Sequence, residues 1–393
     1  MIMIKYIIYL LIISLIGMYI FIKVKFKFWA SQPVFHIYNL KHWLLPCGII
    51  QHNKPHVTKF YNKHICTHKY DDLSTEKKAL LCSLIQGNYL YNKKEKYTPT
   101  NNQILEYFNN HNESSYISLY YEHFYEYDRE NKTHNYPKKL ICCMTTRPLN
   151  LIIDNKKISI GYVDFLCTHK KYRKKGIAPI TIYSHYKNVR DLDSHDVYLF
   201  KREGTINFIV PLTIYYSYAF SSKKWKQINT LIPNNISSIL IKEETFELLV
   251  NFFPDILSGF SCSISPELSH IKNQIIKNLL IPVIIFDNNI PVGCYFFRNP
   301  STNYKNKVSI ECIGSYYKKD YKEIFIDSFS NAIFLVNSKI PFDIFLIENL
   351  SNNNFLLKAI LKRDTMIFKT PMAYYFYNFV YTPFISTNVF ILN

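Results

Sequence analysis

Several residue patterns are missing from this sequence, and each absence excludes a class of protein. No two of the nine cysteines form a C-x-x-C pair and most stand in apolar segments, so we expect free thiols in a reducing compartment and no disulfide framework. The lysines are dispersed and no nucleic-acid-reading motif occurs, so no nucleic-acid partner is expected. The histidines between 52 and 68, together with Cys66, match no standard spacing, so no metal site is expected.

Glycine is scarce, with nine residues in 393, whereas tyrosine, isoleucine, asparagine, lysine and phenylalanine are over-used. This composition indicates an A/T-rich coding bias, which is typical of some parasites and viruses. The length suits two domains, and a hydrophobic content of 48% is enough to bury a large core. The net charge of +18 indicates attraction to an anionic partner, such as a membrane surface or a phosphorylated cofactor.

An uncharged apolar run covers Tyr6–Ile22, with Lys5 before it and three lysines within Lys23–Lys27 after it. As a helix it would be about 25 Å long, nearly enough to cross a bilayer core. A cleaved signal peptide is the alternative, but the lysines follow the run and no small-residue cleavage site precedes them. We therefore expect a single-pass N-terminal anchor with its basic flank in residues 1–27. The positive-inside tendency places the body in the cytosol, at a host-cell or virion membrane.

The stretch Ile158–Tyr183 combines features that suit anion binding. Its apolar residues change from even to odd positions after Tyr162, and this slip in a period of two predicts a bulged strand. The run Arg173–Ala178 follows, and Pro179 suits the first turn of a helix. Small residues in this run let backbone amides approach an anion beside cationic side chains. The stretch predicts either a pyrophosphate cradle or a solvated basic loop.

Periodicity elsewhere predicts an α/β sheet with helices on its face. The pattern places a helix with an apolar face (Leu80, Leu81, Leu84 and Ile85) after Thr75, a capping box at Thr100–Gln103, strands at Leu140–Met144 and Leu149–Ile153, and a loop or weak hairpin over 109–137. Beyond a boundary at Ser221–Asn235 it places a helix that is capped by Ser265–Glu267 and runs through Leu280, and a hairpin about Asp287–Asn289.

A second copy of the central stretch is predicted at Val308–Ile324, which aligns with Ile158–Ile177. An internal repeat of this length predicts two similar lobes. The second copy lacks the glycine and carries Asp320 and Glu323 where phosphates would sit. We therefore expect only the first lobe to bind an anionic cofactor.

Four segments, in order along the chain, together resemble the eukaryotic N-myristoyltransferases. They are Phe28–Val34 (FWASQPV), Asp164–Pro179 (DFLCTHKKYRKKGIAP), Asp343–Asn349 (DIFLIEN) and Tyr374–Phe379 (YYFYNF). The resemblance implies an α/β (α+β) fold in which two tandem GCN5-related N-acetyltransferase-like lobes form a pseudo-twofold saddle. Residues 28–225 would form the acyl-CoA-binding lobe, and residues 226–393 would supply most of the peptide site.

The same resemblance implies transfer of a myristoyl group from myristoyl-CoA, a co-substrate, to the N-terminal glycine of a protein. Backbone amides of Phe165 and Leu166 would polarise the thioester carbonyl, and the α-carboxylate of Asn393 would act as base. Acyl-CoA contacts are implied for Phe28, Trp29, Gln32, Cys167, Arg173, Lys174, Lys175, Gly176, Ile177, Ala178 and Pro179. Cys167 with His169 could also be read as a nucleophile pair, but a buried thiol and a structural histidine are the preferred interpretation.

Two departures from the family pattern leave the activity open. Asp164 replaces an asparagine, and this carboxylate could bind the substrate ammonium, serve as a second base, or trap the ammonium form. Leu199 stands where the family has a threonine hydroxyl. The alternatives are an active acyltransferase, a catalytically inactive membrane scaffold in a viral envelope or entry assembly that binds an acyl chain or a myristoylated partner, and a short-chain acetyltransferase with a blocked acyl channel. Glu348 and Asn349 are either peptide-site groups or a strand end.

Overall fold

A computed structural model describes residues 2–46, 48–90, 95–123, 126–128, 133–135, 138–192, 194–225 and 232–393. The helices are α1 (Ile2–Lys25), α2 (Leu40–Leu44), α3 (Thr75–Asn88), α4 (Asn101–Leu105), α5 (Ile177–Asp191), α6 (Phe246–Ser258), α7 (Leu268–Ile276), α8 (Lys322–Asp327), α9 (Phe329–Lys339) and α10 (Asn353–Arg363). Short 3-10 turns lie at Trp29–Ser31, Glu106–Phe108, Lys170–Tyr172, Lys319–Tyr321 and Ser386–Asn388.

The strands alternate with these helices as a mixed α/β fold requires. They are β1 (Gly48–Ile49), β2 (Ile65–Lys69), β3 (Glu95–Tyr97), β4 (Tyr116–His123), β5 (Glu126–Asp128), β6 (Thr133–Asn135), β7 (Lys138–Ile153), β8 (Lys156–Thr168), β9 (Tyr198–Glu203), β10 (Thr213–Ser221), β11 (Ile236–Leu240), β12 (Cys262–Ser265), β13 (Leu280–Asp287), β14 (Ile290–Arg298), β15 (Thr302–Tyr304), β16 (Lys307–Tyr317), β17 (Ile344–Glu348), β18 (Phe368–Tyr377), β19 (Phe379–Val380) and β20 (Val389–Ile391).

The two halves of the chain repeat one order of elements, as the sequence predicts. In the first half β8 leads through a 3-10 turn and α5 to β9, which pairs with β8 in parallel. In the second half β16 leads through a 3-10 turn, α8 and α9 to β17, which pairs with β16 in parallel. Both β8 and β16 carry a register shift against their antiparallel neighbours, β7 and β14. The aligned segments therefore occupy equivalent positions.

One continuous sheet connects the two halves, in the order β11-β13-β14-β16-β17-β10-β18-β9-β8-β7-β12-β20. Strand β10 precedes residue 225 but pairs with β17 and β18 of the second half. Strand β12 follows residue 226 but pairs with β7 of the first half. Strands on both sides of 225/226 thus pair with strands of the other half, and the domain boundary at this point stays a prediction.

Three predicted elements are wrong in extent. The two short strands around Pro148 are one strand, β7, and Pro148 pairs opposite Gly161 within it. The segment predicted as a loop or weak hairpin contains β4, whose residues Tyr116–Leu119 are buried between β2 and β7, while its hairpin alternative is met by β5 and β6, which pair antiparallel. Helix α7 ends at Ile276 because Asn278 has a φ of 55°, and Leu280 already belongs to the buried strand β13.

Other local predictions are confirmed. Thr100 and Gln103 form a reciprocal capping box at the start of α4. Strands β13 and β14 form the hairpin about 287–289. In α3 the predicted apolar face is buried except for Leu80, which is 38% exposed. All eight described cysteines are free, and seven of them are buried. The boundary segment falls partly on 226–231, which lies outside the described residues.

Helix α1 is the longest apolar helix in the described chain. Met3–Lys25 is long and apolar enough to cross a membrane, judged by length and composition, and nearly all of its side chains are exposed. Ile22 is the buried exception, and it packs into a core cluster with Phe28, Val34 and Tyr375. The helix is thus attached to the body at its C-terminal end.

Candidate functional site

The predicted bulge lies where β7 meets β8. Met144 pairs with Leu166 and Thr146 pairs with Val163, so Thr145 alone faces Asp164 and Phe165. The bulge is therefore confirmed, one to two residues beyond the predicted phase change. The amide of Phe165 donates to the Thr145 hydroxyl over 3.0 Å. One of the two amides expected to donate to the thioester carbonyl is thus already hydrogen-bonded within the protein.

An apolar cavity of about 420 Å³ lies on one side of the bulge. Its wall includes Phe28, Trp29, Met144, Leu166, Ala178, Pro179, Ile182, Tyr186, Phe200 and Tyr377. Trp29 stacks on Phe200 at 5.6 Å between ring centroids, and Phe200 stacks on Tyr375 at 5.3 Å. Such a space suits a flexible apolar chain, because it removes that chain from water.

A charged cavity of about 290 Å³ lies on the other side of the bulge. Its lining carries four cations (Arg147, Lys201, Arg202 and Arg298) and five carboxylates (Glu95, Asp164, Glu203, Glu311 and Glu348), together with Tyr107, Tyr162 and Asn393. The two cavities share Tyr89, Val163, Asp164, Lys201 and Arg202 in their walls. The bulged strand and the end of β9 thus form the junction between an apolar and a charged space.

Asp164 is held by Arg147 from the adjacent strand β7. The Arg147 Nε lies 3.0 Å from each carboxylate oxygen of Asp164, and the two side chains are 1% and 8% exposed. Burial raises the pKa of Asp164, and the charge of Arg147 opposes that rise. The guanidinium also lies over the rings of Tyr107 and Tyr162, at 5.6 and 5.3 Å. The carboxylate that replaces the family's asparagine is therefore paired with a buried cation.

Arg298 connects the last residue of the sequence to the charged cavity. Its Nη1 donates to the backbone oxygen and to Oδ1 of Asn393, each over 3.1 Å, and its Nη2 donates to Glu311 over 2.6 Å. The Asn393 amide also donates to the Tyr162 hydroxyl. Burial works to raise the pKa of Glu311, but Arg298 and Lys201 together hold it below its usual range. Asn393 thus lies within the predicted site, on the wall that also carries Asp164.

Lys201 lies at the junction and pairs with Glu348, while its ammonium stands over the rings of Tyr215 and Tyr374. Leu199, two residues earlier on β9, is fully buried in a core cluster and lines neither cavity. The departure at Leu199 therefore changes core packing, whereas Lys201 brings a cation into the site. Glu348 faces the charged cavity, which favours the peptide-site interpretation over a plain strand end.

The basic loop divides into two parts. Gly176 has a φ of 75° and caps α5, and the side chains of Lys174 and Lys175 are exposed beside this helix N-terminus. Arg173 instead donates to the backbone oxygens of Asn88 and Thr168, where α3 and β8 end. The lysines and the helix N-terminus can meet an anion, while Arg173 fastens the loop to α3.

Three of the residues expected to contact acyl-CoA have structural partners. Gln32 is buried, donates to the Phe28 carbonyl over 3.1 Å and accepts from the Tyr377 hydroxyl over 2.6 Å. Cys167 packs under α3, with its thiol 3.6 Å from the Leu84 carbonyl oxygen. Ile177 packs with Ile141 and Cys142 in a small core cluster. These side chains pack against other parts of the protein and hold the walls of the site in place.

Sequence reasoning missed Arg147, Arg298 and Glu311. Arg147 and Glu311 are charged residues inside largely apolar strands, and Arg298 is the last residue of one. A charged side chain in such a position needs a buried partner. That signal was present in the sequence, but the partners come from different strands. Among the described residues, no group of three or more histidine, cysteine, aspartate or glutamate side chains could hold a metal ion.

Two solved structures of Saccharomyces cerevisiae N-myristoyltransferase with bound myristoyl-CoA share this fold. One aligns with a TM-score of 0.69 at 13% identity, over 93% of this chain and 99% of that chain. The other aligns with a TM-score of 0.70 at 13% identity, over 93% and 94%. The molecule is therefore a two-lobed α/β protein with the fold of the N-myristoyltransferases, and the predicted fold class is confirmed.

The sequence comparisons lead to the same family. Residues 68–198 match the family model "Myristoyl-CoA:protein N-myristoyltransferase, N-terminal domain". The chain is also 20% identical over 377 residues to glycylpeptide N-tetradecanoyltransferase 1 of Arabidopsis thaliana, covering 85% of this chain and 82% of that protein. Both comparisons find the chain similar to N-myristoyltransferases, in agreement with the resemblance predicted from its sequence.

Proposed function

We propose that this protein transfers a myristoyl group from myristoyl-CoA to the N-terminal glycine of a protein. The observation that carries the proposal is the meeting of the apolar and charged cavities at Val163, Asp164 and Lys201. An acyl chain in the first space would bring its thioester to the junction, where an amine held in the second could reach it. A short-chain acetyltransferase would not need an apolar cavity of about 420 Å³.

Acyl-CoA would be held at two places in the first lobe. The apolar cavity would take the acyl chain against Phe28, Trp29 and Phe200. The N-terminus of α5, with Lys174 and Lys175 beside it, would meet the CoA phosphates, since exposed amides and cations there attract anions. Arg173 would contribute by fixing the loop and not by direct phosphate contact.

The reaction we propose is a direct displacement at the thioester. The glycine nitrogen forms a bond to the acyl carbonyl carbon, the carbon–sulfur bond breaks, and CoA leaves as a thiolate that takes up a proton. The Leu166 amide at the bulge would donate to the carbonyl oxygen as negative charge develops there. The amide of Phe165 could join only by releasing the Thr145 hydroxyl.

We assign removal of the amine's proton to the α-carboxylate of Asn393. Its backbone oxygen lies in the charged cavity and is bonded to Arg298. Among the side chains that line this cavity, Arg147 pairs with Asp164, Lys201 with Glu348 and Arg298 with Glu311, and the lining also carries Arg202, Glu95 and Glu203. The lining therefore has one carboxylate in excess before the α-carboxylate is counted, and this negative charge would attract a substrate ammonium, whose proton the α-carboxylate then accepts.

We further propose that residues 6–22 anchor the protein in a membrane with the body on the cytosolic side. The length and exposure of α1 and the lysines at its C-terminal end support this. Within the body, residues 28–225 would bind acyl-CoA and residues 226–393 would supply much of the peptide site. Asp164 and Arg147 from the first part also face the charged cavity.

A catalytically inactive acyl-binding scaffold is a second candidate, favoured by the pairing of both Asp164 oxygens with Arg147. One assay separates the two: the full chain in detergent micelles receives myristoyl-CoA or acetyl-CoA with a Gly-initial or Ala-initial peptide. An enzyme acylates the Gly-initial peptide from myristoyl-CoA. A scaffold binds myristoyl-CoA without product, and transfer from acetyl-CoA alone would contradict the long-chain assignment.

A further inference from the structure

Five large apolar side chains are exposed on or beside α2, close to the C-terminal end of α1. Their exposed fractions are 47% for Ile37, 73% for Leu40, 45% for Trp43, 80% for Leu44 and 67% for Leu45. We call these five residues the α2 patch. A soluble surface rarely groups so many large apolar side chains, and such a group marks a contact with a partner or a lipid.

The α2 patch lies beside the end of the apolar helix. The ring of Tyr38 contacts that of Tyr19 on α1 at 5.3 Å between centroids. Tyr19 stands six residues before Lys25, where α1 ends, so this contact is about 9 Å back along the helix axis. Phe26 and Phe208 meet at 4.5 Å, and Lys23 donates to the Ala30 carbonyl over 3.0 Å. The contact between Tyr19 and Tyr38 thus joins α1 to the segment that carries the patch, and the other two hold the C-terminal end of α1 against the body.

We propose that the α2 patch inserts into the same membrane leaflet as the C-terminal turns of α1, giving the body a second lipid contact. The inference rests on the proposed anchor. If α1 spans the bilayer, the contact between Tyr38 and Tyr19 places the neighbouring α2 at the depth of the membrane interface. The occupant of the patch is therefore the boundary between lipid headgroups and acyl chains.

The chemistry of the patch suits that boundary. Trp43 donates its indole N–H to the Ile37 carbonyl over 3.0 Å, so its polar atom is satisfied within the protein while the ring is exposed. Tryptophan favours this interface because its ring is apolar with one polar edge. Lys41 lies within α2, and Lys23, Lys25 and Lys27 lie at the end of α1. These cations match anionic headgroups of a cytosolic leaflet.

A second contact would also determine how the body sits on the membrane. A single helix joined to a body allows rotation, whereas two contacts fix one face toward the lipid. Phe28 and Trp29, which line the apolar cavity, begin three residues after α1 ends. The wall of the acyl site would thus be held next to the leaflet.

The test measures where position 44 lies in a lipid bilayer. The full chain with Cys47→Ser and Cys66→Ser receives Leu44→Cys, is labelled with a nitroxide, and is reconstituted in phosphatidylcholine–phosphatidylserine vesicles. The matched control is Leu361→Cys on α10, a site 44% exposed in the second lobe. Collision rates are measured with oxygen, which enters lipid, and with a water-soluble nickel chelate. We expect the oxygen-to-nickel ratio to be several-fold higher at 44 than at 361.

Two further results separate the patch from the anchor and from catalysis. Equal ratios at 44 and 361, in a chain that resists alkaline carbonate extraction, would overturn the patch and leave the anchor intact. Extraction of the chain by carbonate would overturn the anchor and this inference with it. The transfer assay in detergent micelles is independent of both. With Leu44→Asp and Leu45→Asp, we expect the ratio at a nitroxide placed on Leu40→Cys to fall while myristoyl-CoA binding persists.

Discussion

Arg147 and Asp164 face each other across β7 and β8, with the Arg147 Nε 3.0 Å from both carboxylate oxygens. The pair lies at the junction of the two cavities and is almost fully buried. The charge that Asp164 brings to the position of the family's asparagine is therefore compensated on the neighbouring strand. Removing one member would leave the other charge buried without a partner, which is costly in a low-dielectric interior.

We expect Asp164→Asn and Arg147→Leu each to lower the free energy of unfolding by about 3–5 kcal/mol. The double variant should lose less than the sum, since neither charge is then left alone, with a coupling free energy of about 1–3 kcal/mol. Denaturant unfolding of the full chain in detergent measures all four proteins.

The exposed pair Lys272–Glu243, at 3.5 Å, provides the matched control. Its single variants Lys272→Leu and Glu243→Gln should each cost about 0–1 kcal/mol. Strictly additive losses for Arg147 and Asp164 would show that the buried pair does not act as a unit.

The bulge could be predicted from sequence because it leaves a local trace, the phase change after Tyr162. The capping box and the hairpin about 287–289 are local in the same sense, and they were predicted correctly. Strand β4 was not predicted because Tyr116–Leu119 are buried on both faces, so no alternation marks the strand, and its tyrosine hydroxyls make the sequence look polar.

The charged cavity could not be predicted, because its pairs depend on register between distant strands. Arg298 meets Glu311 only because β14 and β16 pair with those residues opposite each other. Asn393 reaches the cavity because β20 pairs in parallel with β12, more than a hundred residues earlier in the chain. Neither relation leaves a periodic signal in the local sequence.

Substitutions in the basic loop should separate binding from stability. Lys174→Ala with Lys175→Ala should weaken myristoyl-CoA binding several-fold, with a smaller effect at high salt, because these exposed cations act through screened charge. Arg173→Ala should instead lower the unfolding temperature, because its guanidinium holds the Asn88 carbonyl. Calorimetry of ligand binding and thermal unfolding distinguish the two effects. Lys156→Ala on β8 is the exposed-lysine control.

The buried ring of His185 should make the folded protein less stable against unfolding in acid. Burial lowers its pKa to about 3, and the neutral ring bonds to the hydroxyls of Ser118 at 2.8 Å and Thr146 at 3.0 Å. The unfolded chain takes up a proton below the ordinary histidine pKa of 6.5 while the folded chain does not, so this stability is present above pH 6.5 and is lost as pH falls toward 3.

Between pH 6.5 and about pH 5 the parent chain should lose about 2 kcal/mol more of its free energy of unfolding than the His185→Gln variant does. Denaturant unfolding at a series of pH values gives the two slopes. His64→Gln changes an exposed ring and serves as control. Identical slopes for the His185 variant and the parent would contradict the assignment of a buried neutral ring.

The apolar cavity should determine the acyl length that is bound. Ile182→Trp fills part of it from α5, so we expect at least a tenfold loss of affinity for myristoyl-CoA, about 1.4 kcal/mol, and a smaller loss for octanoyl-CoA. Ile180→Trp places the same ring two residues earlier on α5, where it faces a different direction. Equal losses for both acyl chains would place the acyl group elsewhere.

Extension of the chain tests the base. Two glycines after Asn393 convert its α-carboxylate into an amide beside Arg298, and general-base catalysis contributes about 10²–10⁴-fold in rate. We expect kcat for glycyl-peptide acylation to fall at least about 10²-fold. Binding of myristoyl-CoA should be retained, since the apolar cavity is lined by other residues. Two glycines inserted between Lys305 and Asn306, in the turn between β15 and β16, control for the insertion itself. Unchanged turnover after extension would move the base to another carboxylate, and Asp164 at the junction would be the first to substitute.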